Sequence, residues 1–366
     1  MIDLFRPFMS ADAGVAAWLA LTPDEDGRLF IGQGPKVQEF ERQFAELVGL
    51  ETPLTMNSCT SALDLALHLC GVGLGDEVIT TPMTCTATNS PIVTRRAKIV
   101  WADVDPETGL IDPDDVLRKI TRRTKAIMAV DWAGRSCDYK RLMPPGLPVP
   151  VIQDAAHNLM VDPDNHGDYV AWSFQAIKHL TTVDGGALLV PQKHYERAKL
   201  LRWYGLDRES SADFRCAQDI REVGYKYHMN DVNATIGLAN LPHAPWVVSR
   251  HRENAAWYMV NLRAGPDVLF PPPDAKGSWW LFTLRVKNQQ GFIKFMADRG
   301  VMTGQVHARN DTHKGFDYYN GPLPGVDKFS GHQVAIPVGW WLSEQDRQYV
   351  ADAIEAYSWA KVAAFT

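Results

Sequence analysis

The sequence predicts an α/β protein. A large domain over residues 1–240 carries a mostly parallel mixed sheet flanked by helices, and a smaller α+β domain spans 241–366. Three observations predict this. Short apolar runs alternate with helical periodicity from about residue 37 to about 240, and such alternation marks βαβ units and a mostly parallel sheet. Several of the runs end in an acid or a hydroxyl residue, Asp131 and Asp154 among them, where such sheets place their ligands. The pattern then breaks at Leu241-Pro-His-Ala-Pro245, and elements of another order follow.

Taken along the chain, Val37, Phe40, Phe44 and Leu47 fall on one helical face,. Leu63, Leu65, Ala66, Leu69 and Cys70 suggest a second, largely buried helix. Val78-Ile79-Thr80, Ile99-Val100-Trp101, Ala126 to Val130, and Val149-Pro150-Val151-Ile152 read as strands. Beyond the break come a long helix from Val247 to about Leu262 and a turn at Pro271-Pro272-Pro273. An aromatic strand from Trp279 to Val286 follows, then a final helix near Ser343 to Tyr357.

Composition narrows the function classes. A chain of 366 residues, 46% of them hydrophobic, buries a core without staples. Its 37 Lys and Arg against 43 Asp and Glu leave a net charge of −6, which argues against general nucleic-acid binding, since neutralising phosphates needs clustered cations. No run of ~18 apolar residues suggests a membrane span. The opening MIDLFRPFMSADAG lacks the basic-then-apolar order of a secretory signal, so a cytoplasmic protein is expected. The five cysteines are Cys59, Cys70, Cys85, Cys137 and Cys216, with no CxxC spacing. They read as reduced thiols.

Three segments carry candidate chemistry. Asn57-Ser58-Cys59-Thr60-Ser61-Ala62-Leu63 precedes an apolar helical run. Hydroxyl residues there serve as N-caps, and a helix start is also an anion site; both readings stand. Val151-Ile152-Gln153-Asp154-Ala155-Ala156-His157 puts an acid at a strand end, as a ligand group or as a cap on the next turn. Ser173-Phe174-Gln175-Ala176-Ile177-Lys178-His179 sets a lysine among apolar neighbours, ahead of Gly185-Gly186. A desolvated lysine has a lowered pKa and becomes a nucleophile suited to Schiff bases.

Three other patterns are rejected. Gly32-Gln33-Gly34 starts like a dinucleotide fingerprint, but Val37 holds its third position and no strand precedes it,. Asp162 to Gly167 resembles a calcium loop, yet Ser173 stands where the bidentate Glu is needed,. His307 to His313 lacks a helical metal-binding frame,.

Together these segments resemble the DegT/StrS-type nucleotide-sugar aminotransferases, which have the fold-type I architecture and use pyridoxal 5′-phosphate. The resemblance starts at Gly32-Gln-Gly-Pro-Lys-Val37 with Glu39-Phe40-Glu41. It extends through Gly224-Tyr-Lys-Tyr-His-Met-Asn-Asp-Val-Asn-Ala234 with Ile236-Gly237-Leu238. It implies that Lys178 forms the internal aldimine and that Asp154 pairs with the pyridine nitrogen. A protonated ring nitrogen deepens the electron sink that the chemistry needs, and a carboxylate keeps it protonated. The resemblance also implies a phosphate site at Cys59, Thr60 and Ser173. It sets His157 near the cofactor's phenolic oxygen and Ala156 beneath the ring.

The chain departs from the family pattern at four positions. Cys85 stands where relatives stack an aromatic on the ring. Lys226 stands where many place an Asn that reaches the phosphate of the neighbouring subunit. Tyr204 replaces a common His, and Val183 replaces the first Gly of a Gly-Glu-Gly-Gly turn. His307 and Arg309 fall on a loop that the resemblance sets beside the substrate, Arg309 facing a diphosphate. Trp279-Trp280 and Trp340-Trp341 either fill core or stack on a sugar or nucleobase.

The implied function is transfer of an amino group, with L-glutamate as donor, to a keto group of a nucleotide-linked deoxysugar. Pyridoxamine 5′-phosphate is the intermediate cofactor form, and a homodimer shares its active sites. Two rivals are a cofactor-dependent sugar dehydratase, whose members replace the lysine with His, and a non-catalytic binding or regulatory protein on the same fold. Lys178 argues against the first and the Lys178–Asp154 pair against the second.

Overall fold

The computed structural model describes residues 1–29, 31–51, 53–208, 217–316 and 321–363, with side chains to residue 359; Cys216 lies outside the described residues. The elements in chain order are α1 (Ala11–Ala20), α2 (Pro35–Val48), β1 (Leu54–Met56), α3 (Cys59–Leu69), β2 (Glu77–Thr80), α4 (Thr86–Thr94), β3 (Lys98–Trp101) and α5 (Pro113–Arg118). There follow β4 (Thr124–Val130), α6 (Tyr139–Leu142), β5 (Val151–Asp154), β6 (Tyr169–Ser173), β7 (Gly186–Leu189), α7 (Tyr195–Leu201) and α8 (Asp231–Asn240). The last group is α9 (Ala244–Asn261), β8 (Val268–Leu269), β9 (Phe282–Val286), α10 (Gln289–Ala297), α11 (Pro324–Ser330), β10 (Gln333–Ile336) and α12 (Glu344–Ala363).

Seven strands form one sheet in the order β1-β7-β6-β5-β4-β2-β3. The β6-β5-β4-β2-β3 pairings are parallel, and β7 and β1 add antiparallel neighbours. Ile127, Met128 and Ala129 of β4 are fully buried, as expected for a strand covered by helices on both faces. The apolar stripe of α2 explains its docking: Phe40 and Phe44 pack edge-on against Phe174, and Phe44 against Trp172. Gly34 starts this helix, and Asp231, far along the chain, accepts from the amides of Gly34 (2.9 Å) and Val37 (3.1 Å). Gly32-Gln33-Gly34 thus serves a helix start, with no strand before it among the described residues.

A second sheet, β10-β9-β8, is antiparallel. It builds its own core with α9, α10 and α12 around Phe282, Phe292, Met296 and Ile354. Two details differ from expectation. Leu241-Pro-His forms one 3-10 turn that runs straight into α9, because Pro245 sits in the first turn, where its missing N–H is harmless,. The aromatic strand starts at Phe282 rather than Trp279, because Trp279 takes a left-handed φ of 50°. No helix among the described residues is long and apolar enough to cross a membrane.

Candidate active site

The parallel strands end beside a cavity of about 430 Å³. Asp154 reaches it as the last residue of β5, Ser173 as the last of β6, and Cys59 and Thr60 as the first of α3. Gly186 makes this convergence possible. A Cβ there would stand 2.6 Å from the Cys59 amide nitrogen and 2.7 Å from the Trp172 carbonyl, so only glycine lets β7 pass so close to the start of α3.

Asp154 is 3% exposed, and its oxygens are aimed by neighbours. Oδ2 accepts from the Thr88 hydroxyl at 2.7 Å; Oδ1 accepts from the Ala156 amide at 3.0 Å and lies 3.9 Å from the Cys59 Sγ. The cap on the next turn is therefore present, and the carboxylate still lines the cavity. The Thr88 hydroxyl has one proton and gives it to Asp154, so the Thr84 hydroxyl, 2.7 Å away, donates to Thr88,. Burial pushes the carboxyl above its ordinary range, while these donors and Lys178 oppose that rise. Burial, and then the Asp154 charge, raises Cys59 well above an ordinary thiol, so it stays a neutral donor.

Lys178 lines the same cavity. Enclosure of its amine lowers the pKa from 10.5 to about 8, against the opposing pull of Asp154. Its Nζ lies 3.5 Å from the ring centre of Trp280. That indole is stacked on His157 at 4.0 Å and on Phe5 at 5.0 Å. The His157 ring lies parallel to that of His307, their Nε2 atoms 3.4 Å apart. Burial and then Lys178 depress both imidazoles, His307 to about 4, so both are neutral at pH 7. His179, next to Lys178 in sequence, is buried against His251 and does not line the cavity.

The other expected residues fall as follows. Ala156, His157, Ser173, Cys85 and His307 line the cavity. The cap of α3 is Ser58, one of the hydroxyl residues of that segment, which accepts from the Ser61 amide, and Cys59 and Thr60 open the helix. Arg309 does not line the cavity; Asp311 and Asp327 hold its guanidinium. Lys226 also lies away from this cavity, exposed over the rings of Trp203 and Tyr204. Its neighbours Tyr225 and Tyr227 stack on each other and bond to His68 and Asp64 of α3, so alternation turns Lys226 the other way,. Asp162 is occupied by the Asp164 amide and by Lys276.

Sequence reasoning missed Thr88 and Phe5 as cavity residues, while Trp280, read as core or as a stacking surface, lines the cavity. The hydroxyl run from Thr84 to Thr88 was a usable signal. Phe5 gave none, because it arrives through the fold from the start of the chain.

The residues fit pyridoxal phosphate. An enclosed amine suits its aldehyde, a buried carboxylate its ring nitrogen, and a hydroxyl-rich helix start its phosphate. The buried His157 Nδ1 has no partner, which leaves a polar atom for an oxygen of the bound group.

The comparisons with known proteins agree with this geometry. The model of the DegT/DnrJ/EryC1/StrS aminotransferase family matches residues 24–355. The chain is 30% identical to the spore coat polysaccharide biosynthesis protein SpsC of Bacillus subtilis over 89% of this chain and 90% of that protein. The crystal structure of AtS13 from Actinomadura melliaura is 38% identical and superposes with a TM-score of 0.90, covering 97% of this chain and 98% of that one. The sugar aminotransferase CalS13 from Micromonospora echinospora is 33% identical with a TM-score of 0.88, covering 97% and 100%. The chain belongs to the DegT/DnrJ/EryC1/StrS aminotransferase family, and is a fold-type I, pyridoxal-phosphate-dependent sugar aminotransferase.

Proposed function

We infer that this protein moves an amino group from L-glutamate to a keto carbon of a nucleotide-linked deoxysugar. The observation that carries the reading is the meeting of Lys178, Asp154 and the hydroxyl-ringed start of α3 in one cavity. Pyridoxal phosphate bound there supplies the electron sink for the pair left when a proton leaves carbon. Lys178 would hold the cofactor's aldehyde, and its Nζ, an amine with a pKa of about 8, would accept and return the proton at the reacting carbon,. Asp154 holds a proton on the ring nitrogen, aimed by Thr88 and the Ala156 amide.

The backbone at Cys59 and Thr60 and the Ser173 hydroxyl take the phosphate. Ala156 and Cys85 pack on the ring, and His157 meets the phenolic oxygen. His307 lies on the substrate side. Lys226, exposed and turned from its own cavity, reaches the phosphate of a second copy in a homodimer, as a point charge. Arg309 is left out of the diphosphate site because two carboxylates hold it. A division at residues 240 and 241 is supported by the chain order: the strands of the seven-stranded sheet precede the turn between α8 and α9, and those of the three-stranded sheet follow it.

The test is incubation of the holoprotein with L-glutamate and a panel of nucleotide-linked keto deoxysugars, read by mass spectrometry. An amino sugar nucleotide and 2-oxoglutarate in equal amounts are expected. Turnover of glutamate with no sugar amination would overturn the substrate assignment. Loss of water from the sugar with no amine gained would make it a dehydratase.

A further inference from the structure

Three tryptophans, Trp280, Trp340 and Trp341, act together on one short segment beside the cavity. Trp280 stands in the wall, 3% exposed, and its Nε1 donates to the Ile177 carbonyl at 3.0 Å. The indole's one polar atom is thus taken, and the wall offers apolar surface. Phe5, partly exposed, lies on this indole with ring centres 5.0 Å apart and planes 25° apart, and lines the cavity with Trp280, Ile177 and Val306.

Phe5 comes from the extended start of the chain, which is held on both sides. Ile2 pairs with Val301, its amide donating to the Gly300 carbonyl at 2.7 Å. Trp341 Nε1 donates to the Asp3 carbonyl at 3.0 Å, and Trp340 Nε1 to the Arg6 carbonyl at 3.3 Å. Phe8 packs edge-on against Trp340, and Ser10 is tied to Asn240. Two indole donors therefore bracket residue 5, fixing the backbone on either side of it. This arrangement presents one aromatic ring to a cavity, from a segment with no strand or helix of its own.

We propose that Phe5 is a substrate-binding, specificity-determining residue, which closes the cavity over the apolar face of the keto sugar and favours a methyl over a hydroxymethyl group there. Trp340 and Trp341 are its positioning residues. The proposal rests on the sugar reading above. Its physical basis is that Phe5, Ile177 and Val306 gain from covering C–H surface, while Trp280, itself covered by Phe5, His157 and Lys178, backs the Phe5 ring. A hydroxyl buried against them finds no partner among these side chains, and a penalty of roughly 10–100-fold in kcat/KM follows.

The test compares wild type with Phe5→Ala, Phe5→Leu and Trp341→Phe, using a nucleotide-linked keto sugar that carries a methyl group and its hydroxymethyl counterpart. Affinity for pyridoxal phosphate is followed by the visible band. Phe5→Ala is expected to raise KM for the methyl sugar at least about tenfold and to narrow the preference between the sugars. Phe5→Leu should fall between wild type and Ala. Trp341→Phe, which keeps the ring but loses the donor to Asp3, should reproduce part of the KM rise. Unchanged KM and preference in a folded Phe5→Ala protein overturn the proposal, as does a defect confined to pyridoxal phosphate affinity. A wild type that binds the cofactor but aminates neither sugar sinks the sugar reading and the proposal with it. Unfolding of Phe5→Ala shifts the decision to Phe5→Leu, whose wild-type preference would refute the assignment.

Discussion

Replacing Asp154 by Asn tests the electrostatics of the site before any cofactor is added. Two effects act on Lys178. Enclosure lowers its pKa from 10.5 to about 8, and the Asp154 carboxylate holds it from falling further. The first raises the free-amine fraction at neutral pH roughly 300-fold over an ordinary lysine. Removing the carboxylate charge takes away the largest influence opposing enclosure, so the midpoint should drop below 8 by about one pH unit,. The assay is competitive acetylation of the cofactor-free protein across pH, read as the labelled fraction of the peptide bearing Lys178, with melting curves to verify folding. Linkage gives a second readout. Between about pH 8 and 10.5 the unfolded chain keeps a proton that the folded chain has lost, so this group's contribution to stability improves as pH rises,. A wild-type midpoint near 10.5, or one that stays put or rises in Asp154→Asn, refutes the reasoning.

Three further outcomes follow from the same contacts. Thr88→Val removes a charge-assisted bond to the buried Asp154 and should cost about 1.5–3 kcal/mol at pH 8. That cost should shrink towards pH 4 as the carboxyl protonates, and Thr88→Ser should restore it; urea melts at both pH values check this. Asn310, fully buried, donates to the Thr84 carbonyl and accepts from Asn89, each at 2.8 Å. Asn310→Ala strands both partners and should cost about 2–4 kcal/mol in urea denaturation, with no loss if the pair is incidental. Val183 holds φ at 72° in a turn fixed by Thr181 and Asn233. A β-branched residue there is strained, so Val183→Gly should gain about 1 kcal/mol after glycine's entropy cost, seen as a higher Tm.

The strands β2 to β5 and helices α2, α3 and α9 were legible because each is long or apolar enough for its period to stand out. β1 and β8 escaped notice at three and two residues, too short for any period. β6 and β7 gave a weak strand signal: β6 is five residues ending in a serine, and β7 is four residues that open on a glycine and an alanine,. That Asp154 and Lys178 line one cavity was foreshadowed by a strand-end acid and an oddly apolar lysine. The placement of Arg309 was only half legible: Asp311 lies two residues on, but the second partner, Asp327, sits on another element. Capping of α2 by Asp231 and the arrival of Phe5 at the cavity are products of tertiary packing, which leaves no local signature. The Val183 departure was legible as a residue type, and its meaning as strain emerged with the backbone angle.

The most direct measurement is borohydride reduction of the pyridoxal-phosphate-loaded protein, followed by peptide mass mapping. The account predicts one modified peptide, carrying the reduced pyridoxyl phosphate on Lys178, and no such mass in Lys178→Ala. A label on another lysine, or an unmodified Lys178 peptide from protein that showed the visible band, contradicts it.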